Sequence, residues 1–563
     1  MDGVYSRCTI SADLETTNDI EDCREWAVGW YDINTEEFIL LKNLRELFVH
    51  CCAYEKCTLY FHNLKFDGGF IIDWLLNEGF TWTPDKPLPH EFTTSITDLN
   101  VFYSIKINID GCVINILDSL KIINLSVAEI AKAFDLGDLT KTEIDYGKKR
   151  PKGYTPDEIE AEYIRRDCAI VGKALKKLFS QNLTKTTQAS NAFNNFKTTI
   201  AKNDFKHWFP TLDCDTFIRP GYRGGYTYLL PKYQNKTLGK CVVYDKNSMY
   251  PWVMRTKPMP YGKPVFFKGA PIPDKIYNCY IITFNCVFTL KEGYLPTIQD
   301  KHGGLFKPTE YLSSSKGQIL KMTMTNIDFE LFQKHYNIEH MEPLYGYKFM
   351  TKYGIFNDYI EYWYAVKEEA DKSGNKAFRT IAKLMLNALY GKFGNRPELG
   401  TKQPILEDGK VRYIPSLTKK VKPNYLPIAM FITAYAREDL ITAAQNNIDR
   451  IVYMDTDSLH LTGWEEPIGI ELDNYKLGAW KRENLVYHAR FIRAKRYMEH
   501  IKVEKNGKLY NKLDVKCAGM PRACAKQARF SNFKPYTKFN GKLQHKTVKG
   551  GVVLVETTFE LKP

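Results

Sequence analysis

The chain has 563 residues, too many for one hydrophobic core, and a prior of about 150 residues per domain predicts roughly four domains. Hydrophobic content of 44% and charged content of 26% belong to a globular protein and exclude a fibrous or disordered one. Net charge is +14, and all of it falls after residue 480, where Lys481 to Pro563 hold 20 Lys and Arg against 6 Asp and Glu.

That basic segment also carries Tyr510, Phe530, Phe533, Tyr536, Phe539 and the run Val552-Val553-Leu554-Val555. It is therefore expected to fold rather than trail as a solvated tail, and a folded basic element tracks a phosphate backbone. No apolar run approaches the ~20 residues of a membrane span, and Met1-Asp2-Gly3-Val4 leads into a strand without a signal peptide. The 13 cysteines are scattered and lack a C-x-x-C pair, which predicts free thiols in a reducing cytosol. Cys51, Cys52 and Cys57 have no matching His pair and make a poor zinc site.

The first 185 residues or so read as an α/β unit. Strands are expected over Tyr5 to Leu14, near Thr58-Phe61 and over Val113-Leu117. Asp13-Leu14-Glu15 ends the first of them, and residues two apart on a strand share a face, so both carboxylates can serve the same ions. Thr155-Pro156-Asp157-Glu158 reads as a capping box with Thr155 at the N-cap, opening a helix that runs to about Phe179. On it Tyr163 and Asp167 lie one turn apart on one face. With Phe61-His62-Asn63-Leu64-Lys65-Phe66-Asp67, four carboxylates (Asp13, Glu15, Asp67, Asp167) come into play for a two-metal site that hydrolyses phosphodiesters, with Tyr163 orienting the water. Taken alone, each is a strand end or helix face with acidic residues.

A polar linker, Ser180 to Ser190, precedes Tyr222-Arg223-Gly224-Gly225-Tyr226, a turn whose glycines let backbone N–H groups approach phosphates. Next comes Val243-Tyr244-Asp245-Lys246-Asn247-Ser248-Met249-Tyr250-Pro251, a strand and acidic turn. Its Tyr250 puts a ring where a sugar 2′-hydroxyl could be excluded. Thr256 to about Met350 is rich in Pro, Gly and aromatics and looks inserted. The helix Lys376 to Lys392 then aligns Arg379, Lys383, Asn387 and Tyr390 on one stripe, opposite Phe378, Ile381, Leu384, Met385, Ala388 and Leu389. Two cations, an amide and a phenol with no acid between them suit a triphosphate followed by a base. A second polar insertion, Asn395 to Val421, holds the hairpin turn Glu407-Asp408-Gly409-Lys410.

Tyr453-Met454-Asp455-Thr456-Asp457-Ser458 reads as strand, acidic turn, strand. Two carboxylates one residue apart repel, and a dication or a proton is expected to relieve them. Asp245 with Asp457 would hold two Mg²⁺ ions for phosphoryl transfer. Lys495-Arg496-Tyr497 follows in the basic segment and suits a primer strand, with a surface charge cluster as the alternative. No G-x-x-x-x-G-K-[ST] occurs, which excludes a P-loop motor.

Eight motifs in this order resemble the protein-primed family B DNA polymerases of small bacteriophages, the phi-twenty-nine type, over nearly the whole chain. They are Asp13-x-Glu15, Asn63-x-x-x-Asp67, Tyr163-x-x-x-Asp167, Tyr222-x-Gly224-Gly225, Asp245-x-x-Ser248-Met249-Tyr250-Pro251, Lys383-x-x-x-Asn387-x-x-Tyr390-Gly391, Tyr453-x-Asp455-Thr456-Asp457-Ser458 and Lys495-x-Tyr497. The resemblance implies an α/β and α+β multidomain chain: an RNase H-like 3′-5′ exonuclease domain (1–185) and a right-hand polymerase. The hand comprises palm (186–256 and 422–518), fingers (354–394) and thumb (519–563), with two terminal-protein-region insertions (257–353 and 395–421).

It further implies Asp245, Asp457 and the Lys246 carbonyl as polymerase metal ligands with Asp455 beside them, and Tyr250 as sugar gate. Lys367, Arg379 (in place of a lysine), Lys383, Asn387 and Tyr390 would bind the nucleotide. Tyr222, Gly224, Gly225, Ser248, Gly391, Phe393, Lys495 and Tyr497 would meet template or primer. In the exonuclease it implies Asp13, Glu15, Asp67 and Asp167 as metal ligands, with Tyr163 and Lys141 as catalytic helpers. Thr16, His62, Asn63, Phe66, Ser119, Leu120 and Tyr146 would grip single strands. Met249 and Met454 depart from an expected Leu and Cys, and Glu368 to Lys376 looks a few residues longer than in the family.

The implied cofactor is Mg²⁺, two ions per site, with Mn²⁺ as a substitute. The implied partners are template and primer DNA, dNTPs, a terminal priming protein and a phage single-stranded-DNA-binding protein. A monomer or a heterodimer with the terminal protein, in the host bacterial cytoplasm and away from membranes, is expected. A polymerase using nucleic acid primers only, and a non-catalytic DNA-binding scaffold, are the competing readings; the long first insertion argues against the first and the eight intact motifs against the second.

Overall fold

The computed structural model describes residues 5–299, 310–505 and 508–563. The chain is a mixed α/β, multidomain structure built on two large sheets. The N-terminal sheet has eight strands in the order Phe38–Leu41, Glu25–Asp32, Tyr5–Thr16, Tyr54–Phe61, Cys112–Asp118, Phe102–Ile109, Glu91–Ile96 and Thr81–Trp82. Its centre is parallel: strand Tyr5–Thr16 runs alongside Tyr54–Phe61, which runs alongside Cys112–Asp118. Helix Glu158–Phe179 packs across strands Tyr5–Thr16 and Glu25–Asp32. The close approach needs Gly172, where a Cβ would stand 2.6 Å from the Tyr31 ring.

The cap of that helix differs from the sequence expectation. Asp157, not Thr155, is the N-cap: its carboxylate accepts from the Glu160 amide, and Glu160 reaches back to the Asp157 amide. The Asp157/Glu160 pair satisfies the same reciprocal geometry as a Thr/Glu pair. Glu160 is held further by Arg150 and Tyr154, which draws the helix start two residues on. The free-thiol expectation also fails at one place. Cys8 and Cys57 sit opposite each other on adjacent parallel strands, with Cα atoms 4.9 Å apart, and form a disulfide. A pairing between residues 49 apart depends on strand register, which cysteine spacing does not encode.

The second sheet is antiparallel, ordered Lys508–Cys517, Arg496–Lys505, Trp480–Arg493, Cys241–Lys246, Ser458–Thr462, Ile451–Asp455, Thr227–Leu229. Helix Leu426–Gln445, apolar nearly all round and mostly buried, packs against it. Residues 259–352 supply a separate four-stranded sheet, Met259–Lys268, Tyr336–Lys352, Cys279–Leu290, Leu320–Thr325, with helix Asn326–His335 upon it. Helices Asn357–Ser373 and Lys376–Phe393 form a hairpin, turned at Gly374 in the left-handed conformation.

The expected turn at Asp408-Gly409 joins strands Lys402–Glu407 and Lys410–Pro415. Both turn residues have positive φ, as a two-residue hairpin turn requires. The basic C-terminal segment is folded, ending in the hairpin Lys538–Val548/Gly551–Glu560 that packs on helix Asp67–Asn77. Among the described residues no helix is long and apolar enough to cross a membrane.

Candidate active sites

Two acidic strand ends meet in the second sheet. Strand Cys241–Lys246 pairs with Ser458–Thr462 so that Asp245 stands opposite Ser458, directly after the Asp455-Thr456-Asp457 turn. The Lys246 amide donates to the Asp457 carbonyl at 2.7 Å, locking the two ends together. Thr456 adopts positive φ, and its amide donates to the Tyr226 carbonyl at 2.7 Å. Gly225 is needed there: a Cβ would lie 2.7 Å from the Thr456 hydroxyl. Its glycine thus serves packing under the acidic turn, while Gly224 faces open space.

The two neighbouring carboxylates of the turn do not share one fate. Asp455 accepts from Lys495 Nζ at 2.7 and 2.9 Å, from the Tyr453 hydroxyl at 2.9 Å and from Thr227 Oγ1 at 3.0 Å. The protein itself relieves Asp455, which corrects the expectation that a dication or a proton would do so. Asp457 and Asp245 instead face a cavity of about 940 Å³. Burial, then the Asp245 and Asp455 charges, push the Asp457 carboxyl up to about 7. Burial also raises Asp245, against the pull of Lys481 (3.3 Å away) and Lys383.

The opposite wall is helix Lys376–Phe393. Arg379, Lys383 and Asn387 are exposed along it, while Ile381, Met385 and Leu389 are buried, as the stripe predicts. One correction applies: Arg379 has an acidic partner, Asp371 of the preceding helix, at 2.5 Å. Helical periodicity could not show a partner on another helix. Lys367 enters from that helix, its ammonium over the Tyr364 ring and its pKa lowered by burial. Tyr250 and Tyr390 face each other with ring centroids 4.1 Å apart. Ser248 lines the cavity in left-handed conformation at the start of helix Met249–Thr256.

Other expected DNA contacts are distributed differently. Gly391 faces open space, whereas Phe393 is fully buried among Phe193, Phe196 and Phe356. Phe393 is a core residue in this geometry because the helix end turns into the aromatic cluster. The half-buried Tyr222 packs so closely that a Cβ on Gly394 would lie 2.5 Å from its hydroxyl. Lys495, at positive φ in the turn before strand Arg496–Lys505, covers Asp455, and Tyr497 stacks on Phe491 beside Tyr453.

The second cluster lies on the N-terminal sheet. Asp13, Glu15, Asp67 and Asp167 line a cavity of about 610 Å³ with Thr16, His62, Asn63, Phe66, Lys141, Tyr146 and Tyr163. Lys141 donates to Asp167 Oδ2 at 2.5 Å and to the Tyr163 hydroxyl at 3.3 Å, and the Tyr146 and Tyr163 hydroxyls are 2.9 Å apart. Burial and the Asp167 charge push Asp13 up to about 7. Glu15 and Asp67 are raised too, chiefly by burial and then by Asp13. Ser119 is fully buried; its hydroxyl donates to the Phe61 carbonyl and meets His62 Nδ1, so it reaches the cavity through His62. Leu120 lines a different cavity, beside Tyr103, Lys121, Asn387 and Lys392.

Among the described residues, no three His, Cys, Asp or Glu side chains close on a single point as they stand. Lys141 pairs with Asp167, Lys481 with Asp245 and Lys495 with Asp455. The donor set nonetheless fits hard cations. It consists of oxygens, burial and then repulsion by neighbouring carboxylates raise Asp13, Glu15, Asp67 and Asp457, and Asp167 Oδ1 is buried without a partner among the described residues.

This repulsion has a measurable consequence. Between its ordinary value of 3.8 and about 7, the Asp457 carboxyl binds more protons folded than unfolded. Stability therefore falls as pH rises through that window. In chelator, Asp457→Asn should raise the melting temperature more at about pH 8 than at about pH 5. Calorimetric melts of both proteins check it, and an equal difference at the two pH values would contradict the assignment.

Sequence reasoning missed six residues that line the two cavities. Lys481 enters the first cavity by cross-strand pairing. Tyr364 and Tyr475 rim it, the Tyr364 hydroxyl donating to the Tyr475 carbonyl at 2.9 Å. Leu543, His545 and Leu554, more than five hundred residues from Asp13, wall the second cavity, with His545 edge-on to Phe66. None carries a local signal, since each arrives by long-range packing.

Carboxylates on an antiparallel sheet facing a cationic helix across one cavity fit phosphoryl transfer on an anionic substrate, the chemistry of a nucleic-acid polymerase. The family model for type B DNA polymerases, organellar and viral, matches residues 50–155 and 138–474. The DNA polymerase of Bacillus phage phi29 is 40% identical over 98% of each chain, and that of Streptococcus phage Cp-1 is 34% identical over 99% of each. A solved structure of the phi29 polymerase superposes with TM-score 0.94 at 40% identity, covering 99% of this chain and 100% of that one. A phi29 polymerase complex with primer-template DNA and incoming nucleotides superposes at 0.93 and 39% identity. The chain belongs to the organellar and viral type B DNA polymerases, within the phi29-type phage group.

Proposed function

We propose that this DNA polymerase copies a linear phage genome from a protein primer, displaces the non-template strand, and proofreads at its N-terminal cluster. Residues 1–185 act as the 3′-5′ exonuclease and 186–256 with 422–518 as the palm. Residues 354–394 act as fingers, 519–563 as thumb, and 257–353 and 395–421 as the two terminal-protein-region insertions. The observation that carries the reading is the meeting of Asp245 and Asp457 with Lys383 and Arg379 around one cavity.

In synthesis, a primer 3′-hydroxyl attacks the α-phosphate of a dNTP and pyrophosphate leaves. Asp245, Asp457 and the Lys246 carbonyl would hold two Mg²⁺ ions, with Mn²⁺ as a substitute, which would supply a lowered pKa at the attacking hydroxyl and positive charge for the triphosphate. Lys367, Arg379 and Lys383 grip the phosphates, and Asn387 and Tyr390 orient the base. Tyr250, backed by Tyr390, excludes a 2′-hydroxyl. Lys495 neutralises Asp455 and, with Tyr497, meets the primer backbone. At initiation the attacking hydroxyl belongs to a Ser, Thr or Tyr of the terminal protein.

In proofreading, a melted 3′ end enters the second cavity and stacks on Phe66. Asp13, Glu15, Asp67 and Asp167 would hold the cations there. Tyr163, fixed by Tyr146 and Lys141, orients the attacking water. The chain works as a monomer or paired with its terminal protein, with a phage single-stranded-DNA-binding protein, in the bacterial host's cytoplasm.

Lys383→Ala should raise the KM for dNTP at least about tenfold, the loss of one charge-assisted phosphate contact, and leave single-strand degradation intact. Steady-state primer extension measures it. Protein priming is tested by dAMP transfer to the partner protein with no oligonucleotide present; absence of a labelled protein product would refute it.

A further inference from the structure

Lys481 has no part in the mechanism above, yet it lines the same cavity as Asp245, Asp457 and Lys383. Its ammonium lies 3.3 Å from Asp245 Oδ2, and its side chain is 38% exposed. The contact is set by register. Strand Trp480–Arg493 pairs with Cys241–Lys246 so that Lys481 stands directly opposite Asp245. Opposite residues of antiparallel strands project to one face, so the ammonium is tethered beside this carboxylate. Lys383 faces Asp245 from the helical wall, and both cations draw that carboxyl down against burial. Lys481 also lies close enough to Lys367 to help lower its pKa.

We propose that Lys481 is a further nucleotide-binding residue with two successive anionic partners. It neutralises Asp245 until a divalent cation takes that carboxylate, and then turns onto the phosphates of the incoming dNTP. This rests on reading the cavity as the dNTP site. The physical argument is charge balance. A dication on Asp245 repels an ammonium tethered beside it, and the triphosphate is the anion then within reach of a flexible four-carbon stem. The cation thus comes from a palm strand and faces the helix-borne Lys367, Arg379 and Lys383 across the substrate. An incidental surface ion pair, worth little, is the competing account.

The test is Lys481→Met in the full-length chain, with two readouts of opposite sign. Without nucleotide, in an Asp13→Ala background that disables the other cluster, Ca²⁺ titrated by calorimetry should bind several-fold tighter, because its competitor for Asp245 is gone. With Mg²⁺, the KM for dNTP should rise about five- to tenfold with kcat little changed, and Lys481→Arg should restore it. Weaker Ca²⁺ binding by Lys481→Met overturns the exchange of partners. If Lys383→Ala raises the KM and Lys481→Met does not, the Lys481 proposal alone fails. If neither moves it, the cavity is not the dNTP site and both readings fall.

Discussion

Asp457→Asn is expected to lower primer extension by about three orders of magnitude or more while single-strand degradation stays at the wild-type rate. Asn keeps the shape and the Asp457 backbone contacts, including the carbonyl that accepts from the Lys246 amide. What disappears is one of the two carboxylates, Asp245 and Asp457, that the antiparallel sheet presents to the cavity. Asp455 cannot replace it, because Lys495, Tyr453 and Thr227 already bind its oxygens. Removing the charge also removes the burial cost and the repulsion by Asp245 and Asp455 that together push the carboxyl up to about 7, so the variant should fold at least as well as the parent. Extension of a primed template and decay of a labelled single strand, run on one preparation, decide the matter. Equal loss of both activities would show that the two clusters are not independent sites.

Asp13→Ala should give the converse: degradation of single strands falls by a similar factor, extension of a matched primer persists, and mismatched ends accumulate. Asp13 is one of four carboxylates around the N-terminal cavity, and Asp167 is the neighbour that most raises it after burial. Lys141 stays paired with Asp167 in the variant, so Tyr163 and Tyr146 keep their anchor. Loss of nuclease would then report loss of ion binding rather than collapse of the pocket. A variant that loses extension in parallel would contradict the assignment of Asp13 to a separate chemistry.

Much of this was legible in the chain because the chemistry clusters locally. The Asp13-Leu14-Glu15 strand end, the Tyr163/Asp167 helix face and the stripe Arg379, Lys383, Asn387, Tyr390 are set by periods of two and 3.6 residues. The structure brings each to a cavity. Where the reading failed, a second element intervened. Asp371 meets Arg379 from another helix, Lys495 meets Asp455 from a turn forty residues on, and the aromatic core claims Phe393. The Cys8–Cys57 disulfide and the helix start at Asp157 belong with these, since both were settled by neighbours rather than by spacing.

The amino-acid sequence by itself determined the family, the inventory of acidic and cationic groups, and their division between the two ends of the chain. Tertiary structure alone decided which carboxylates face a cavity and which are neutralised by protein. It also decided that Lys481 stands against Asp245 and that the C-terminal hairpin walls the N-terminal site. The reason is range: backbone periodicity dictates a side chain's direction within a few residues, whereas charge pairing across strands depends on registers closed by the whole core.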